Sequence, residues 1–116
     1  MEQLPRNLSS FDAACEQVAT LLQVDKRTIV RLTRDAVGAV TDGNHNNVDY
    51  EIRPLETNEV ALEVKNKREK QARSIRLLLK IILPRGGAPG TLADTRILKV
   101  TQEAEGKSEV LLREIV

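Results

Sequence analysis

Two side chains in this sequence could serve alone as nucleophile or base, and neither has obvious company. Cys15 is the sole thiol and His45 the sole imidazole. His45 falls within Asp42-Gly43-Asn44-His45-Asn46-Asn47, a run of polar turn formers, so an exposed loop is its expected setting. Cys15 sits on an apolar helical stripe, where a thiol is ordinarily buried and inert; a reactive one needs a neighbour that stabilises the thiolate. A single cysteine also excludes an internal disulfide and a cysteine-based zinc site. The carboxylates are scattered without the spacing of an acid–base pair or a metal site. Arg85-Gly86-Gly87-Ala88-Pro89-Gly90-Thr91 is glycine-rich and follows a strand pattern, yet it lacks the Gly-Lys-Ser/Thr ending of a phosphate-binding loop. A mobile connection between strands is expected there. No catalytic residue, no metal and no small-molecule cofactor is expected, and the chain reads as a non-enzyme that binds another macromolecule.

Charge points to where such binding could occur. The formal net charge is only +1, but the two halves differ: residues 1–58 carry 6 Lys and Arg against 9 Asp and Glu, residues 59–116 carry 12 against 8. The excess is concentrated in Lys65, Lys67, Arg68, Lys70, Arg73, Arg76, Lys80 and Arg85, with Glu69 as the one acid among them. Such a block is either a solvated face or a patch for phosphates or an acidic partner. Its densest part is Lys65, Lys67, Arg68, Lys70 and Arg73. Phe11 and Tyr50 are the only aromatics, which argues against stacking unpaired bases and disfavours an RNA binder.

A second constellation lies nearer the N-terminus. Cys15 to Arg34 reads C-E-Q-V-A-T-L-L-Q-V-D-K-R-T-I-V-R-L-T-R. Ala19 is small where two helices would touch, Val18 and Leu22 supply apolar neighbours, Val24 can turn inward from the bend, and Ile29 and Leu32 follow on the second helix. Asp25 can cap that helix. This stretch resembles the helix-turn-helix of DNA-binding proteins of the excisionase and MerR-like type; the rest of the chain matches no family. The family pattern favours glycine where Gln23 stands, because the backbone there takes positive φ. The resemblance implies a recognition helix in the major groove, with Arg27 and Arg31 reading bases and Lys26, Thr28 and Arg34 holding the backbone. The alternative is an ordinary helical hairpin packed on a sheet, with these arginines as its solvated face.

The elements that must position these residues follow from periodicity. Residues 1–8 read as a loose arm. Ser9 or Ser10 caps a helix whose apolar stripe is Phe11, Ala14, Cys15, Val18, Leu21 and Leu22. A second helix runs from near Asp25 to about residue 41, with Ile29, Leu32, Thr33, Ala36, Val37 and Val40 in register. Strands follow at 48–53, 59–64, 75–83, 95–102 and 109–116, with 66–74 either a basic loop or a helical turn and Glu105-Gly106-Lys107 as the last turn. Ile75, Leu77, Leu79, Ile81 and Leu83 should share one face. The expected architecture is a single α+β domain over 1–116: an N-terminal helical pair at 9–42 on a mainly antiparallel sheet of about five strands at 48–116.

The chain opens Met-Glu-Gln-Leu-Pro, without a basic and then apolar leader, and Leu77–Leu83 is interrupted by Lys80 and too short to span a bilayer. Cytoplasmic residence without membrane association is expected. The leading functional reading is a small DNA-binding regulatory or accessory protein, homodimeric or with a protein partner, contacting duplex DNA. The other is a protein-interaction or assembly module that docks through its sheet edge or basic face.

Overall fold

A computed structural model describes residues 6–8 (as backbone), 10–41, 48–67, 73–83 and 96–115. His45, the glycine-rich stretch 85–91, Arg68 and Lys70 lie outside the described residues. The element order is β1 (Arg6–Leu8), α1 (Phe11–Leu22), α2 (Lys26–Thr41), β2 (Val48–Pro54), β3 (Glu59–Asn66), β4 (Ser74–Ile82), β5 (Ile97–Ala104) and β6 (Lys107–Ile115). The strands form one antiparallel sheet in sequence order, β1 to β6. The fold is α+β, two helices on an antiparallel sheet, as the periodicity predicts.

The arm expected at residues 1–8 ends in a strand: Arg6, Asn7 and Leu8 pair with Ile52, Glu51 and Tyr50 of β2. Three residues with a single apolar side chain at their end carry no alternation to read, so only the sheet partner reveals them. Leu83 also departs from expectation. β4 stops at Ile82, and Leu83 is 54% exposed rather than continuing the buried row.

Each helix has a local cause. Ser10 is the N-cap of α1, its hydroxyl accepting from the Ala13 amide at 3.2 Å, and Asp12 lies in the first turn where the helix dipole favours an acid. The stripe Ala14, Cys15, Val18, Ala19 and Leu22 is buried, as are Ile29, Leu32, Thr33, Ala36, Val37 and Val40 of α2. The two helices pack on each other, α1 over β1 to β3 and α2 over β3 and β4. The sheet alternates to meet them: Val48, Tyr50, Ile52, Leu62, Val64, Leu77, Leu79, Leu98 and Val100 are almost fully buried.

The C-terminus of α2 is tied to the sheet by one buried amide. Asn66, near the end of β3, donates from Nδ2 to the Val40 carbonyl at 2.8 Å, satisfying one of the carbonyls a helix end leaves open. The last hairpin turns through Glu105 (φ 52°) and Gly106 (φ 77°), the paired positive φ values of a two-residue type I′ turn. Along that hairpin Val100 faces Leu112 and Thr101 faces Val110. Leu111 is therefore an extra residue, a β-bulge, and it moves Val110 and Leu112 to opposite faces of the sheet.

Phe11 and Tyr50 meet edge to face at 6.2 Å between ring centroids. Burial pushes the Tyr50 phenol up to about 12, and its hydroxyl finds no hydrogen-bond partner among the described residues. A buried hydroxyl in that state opposes folding by about 1–3 kcal/mol. Tyr50→Phe keeps the ring contact and removes the stranded group, so stability in urea should rise by about 1 kcal/mol. A loss of stability would mean that the hydroxyl is satisfied in solution.

Candidate nucleic-acid interface

The bend between the helices is built from backbone hydrogen bonds. Val24 donates to the Ala19 carbonyl at 3.1 Å and Gln23 to the Thr20 carbonyl at 3.3 Å, the paired bonds of a Schellman ending. Gln23 holds φ 55° and ψ 49°, the left-handed region that glycine occupies most cheaply. Val24, one residue on, packs against the core, and Ala19 is buried. Asp25 then starts α2: its Oδ1 accepts from the Arg27 amide at 2.9 Å. The hydrogen bonds from the Arg27 side chain and amide hold the Asp25 carboxyl below the ordinary carboxylate range. Because the folded value is depressed, this stabilisation is present above pH of about 4 and fades as pH falls through the folded value.

Arg96 completes the bend from far along the chain. Its guanidinium donates from Nη1 to the Gln23 carbonyl at 2.8 Å and from Nη2 to the Leu22 carbonyl, placing a cation at the negative end of α1. No local pattern marks this residue, since its partners are more than seventy positions away.

The five candidate DNA contacts of α2 divide into two groups. Arg27, Arg31 and Arg34 occur at i, i+4 and i+7, which puts them on one stripe, and all three are exposed. That stripe is opposite the residues α2 buries. Arg27 is nearly unscreened, with 92% of its side chain accessible, although its guanidinium pairs with Asp25 at 3.1 Å. Arg31 is 61% accessible and its Nη2 lies 3.7 Å from Glu114 on β6. Arg34 makes no salt bridge among the described residues. Lys26 and Thr28 belong to the flanks: Thr28 is half-buried, and the Lys26 ammonium turns to Asp12 on α1 at 2.7 Å. That hydrogen bond pushes the Lys26 pKa up. Lys26 thus clips the two helices together instead of facing outward with the arginines.

No protein-family model, curated protein or solved structure matches this chain. The geometry of the α1–α2 bend and the arginine stripe is what bears on binding.

Acids interrupt the described part of the basic block of the second half. Lys65 lies on β3 opposite Asp49, Lys67 pairs with Asp49 at 3.3 Å, and Arg73 accepts the Asn66 amide through its carbonyl. These three flank the β3–β4 connection, Lys65 and Lys67 before it and Arg73 after it. Arg76 and Lys80 lie further along β4, 4.0 Å from Glu103 and 3.9 Å from Glu59. Lys65, Lys67, Arg76 and Lys80 share the face of the sheet turned from the helices, but they do not form one continuous patch, because Asp49, Glu59, Glu63 and Glu103 lie among them as cross-strand neighbours. Cys15 is fully buried, and burial pushes its thiol up against a smaller opposing effect of the Thr33 hydroxyl. Among the described residues no group of three or more His, Cys, Asp or Glu is placed to hold a metal ion, and no helix is long and apolar enough to cross a membrane.

Two substitutions test the bend. Gln23→Gly relieves the left-handed backbone and should raise stability by about 0.5–1 kcal/mol in denaturant unfolding. Arg96→Ala frees two carbonyls and should lower it by about 1–2 kcal/mol. A neutral Arg96→Ala would show that the guanidinium does not hold the bend in solution.

Proposed function

We propose that this chain is a small DNA-binding domain that presents the outer stripe of α2 to the major groove. The observation that carries the reading is the shared exposure of Arg27, Arg31 and Arg34 on one face of a helix. The bend ahead of that helix supports it, because Gln23, Val24 and Ala19 occupy the backbone and packing states that a helix-turn-helix requires. Arg27 and Arg31, nearer the N-terminal half of α2, are suited to guanine edges, and Arg34 to a phosphate. Their pairs with Asp25 and Glu114 are solvent-exposed, and exposed ion pairs contribute only about 0–1 kcal/mol. Phosphates or bases can displace such partners at small cost.

The test is a salt titration of binding to random duplex DNA, followed by selection of a preferred site. Binding should fall steeply as salt rises, and Arg31→Ala should cost about 1–3 kcal/mol on the preferred site. Glu114→Gln releases Arg31 from its internal partner and should strengthen binding. Absence of any duplex binding at low salt would overturn the proposal.

A second reading is favoured by a separate observation. Among the described residues β6 has β5 on one side and no strand on the other, and it exposes Val110, Leu111 and Ile115. A long strand with open backbone groups and apolar side chains is a template for another chain. On this reading the domain docks a protein through its sheet edge.

A further inference from the structure

The strand register builds a cationic row that no stretch of sequence contains. Lys80 of β4 lies opposite Lys99 of β5, and Lys99 opposite Arg113 of β6. All three are on the face of the sheet turned away from the helices, since their neighbours Leu79, Ile81 and Leu98 are the buried ones. Like charges directly across adjacent strands are destabilising. Glu59 offsets only the Lys80 end, at 3.9 Å; neither Lys99 nor Arg113 forms a salt bridge among the described residues. Elsewhere on this face the charges are interleaved, Arg53 with Glu51 at 3.3 Å and Arg76 with Glu103 at 4.0 Å. Uncharged rows flank the cations: the apolar Ile82, Ile97 and Ile115 on one side, Leu78, Thr101 and Val110 on the other. Each row ends on β6, at the open edge.

We propose that the Leu112–Ile115 stretch of β6 accepts an acidic extended segment of a partner protein as an added strand. The proposal rests on the sheet-edge reading and names the chemistry of its occupant. The added strand would place an Asp or Glu beside Arg113, continuing the Lys80–Lys99–Arg113 row with the opposite charge. An apolar residue two positions away would lie beside Ile115, which is 73% exposed, and would extend the isoleucine row. Backbone bonds supply the attachment and these side chains the selectivity, as in strand addition generally.

A second copy of β6 fits this edge poorly. Antiparallel pairing about Leu111 would bring Glu109 to Arg113, but the bulge puts these residues on opposite faces of the sheet. Pairing about Arg113 sets arginine against arginine. An anionic membrane surface would satisfy the cations but leave the open backbone groups of β6 without partners, which apolar surroundings penalise.

The test uses two synthetic nine-residue peptides of alternating valine and threonine, one with a central glutamate and one with a central lysine. Affinity is read by fluorescence anisotropy and the contact by hydrogen exchange of the β6 amides. The glutamate peptide should bind about tenfold more tightly than the lysine peptide and protect β6. Arg113→Glu, or Lys99→Glu if that variant does not fold, should reverse the preference. Equal protection by both peptides would overturn the acidic partner while leaving the sheet edge as a docking site. No protection by either would overturn both. Binding to phosphatidylserine vesicles that disappears in Arg113→Glu, without peptide binding, would assign the row to a lipid surface and overturn the proposal.

Discussion

The apolar inner face of the sheet has to be covered, and almost everything else about the molecule follows from how two helices cover it. With Phe11 and Tyr50 as its only aromatics, the core is assembled from many aliphatic contacts instead of a few large anchors, so both helices must bury a residue at nearly every turn. For α2 this means lying along the sheet from Ile29 to Val40. The outward position of Arg27, Arg31 and Arg34 is then a geometric consequence, because a stripe seven residues long on one side of a helix is fixed once the other side is packed.

Covering the sheet also creates helix ends whose open backbone groups need partners. The chain meets this requirement with polar groups from distant elements. Arg96 binds the last carbonyls of α1, Asn66 binds one near the end of α2, and Lys26 joins the start of α2 to Asp12 of α1. The left-handed Gln23 is held between them. Its backbone strain is of order 1 kcal/mol, small beside the two Schellman bonds and the guanidinium that fix the bend. The bend is therefore a clamped element, and the direction in which α2 carries its arginines is set by it.

The helices lie chiefly over β1 to β4, while β5 and β6 extend the sheet beyond them. Leu112 still touches the core, but the outer side and the edge of β6 are left to solvent. The two surfaces proposed for binding are thus distinct, one on the outer side of α2 and one at the edge of β6. Among the described residues the ion pair that links them is Arg31–Glu114, with Glu114 on the inner side of β6.

Local chemistry made much of this legible in the residues themselves. The periods of 3.6 and 2 identified both helices and five of the strands, Ser9 or Ser10 and Asp25 marked the helix starts, and Glu105-Gly106-Lys107 marked the last turn, because each depends on neighbours a few positions away. The same locality made the arginine stripe of α2 visible. Strand β1 was not legible, since three residues hold too little pattern and exist as a strand only through β2. Lys26 and Arg31 could be placed on α2, but their ties to Asp12 and Glu114 could not, and neither could the reach of Arg96. The cationic row of Lys80, Lys99 and Arg113 is the clearest case: its members are nineteen and fourteen positions apart, and only the register of three strands aligns them. Sequence by itself determined what the two helices and the five longer strands become, because hydrogen bonding and side-chain direction within an element are local. Which charges face one another was decided by tertiary structure alone, because that depends on contacts between residues the chain keeps far apart.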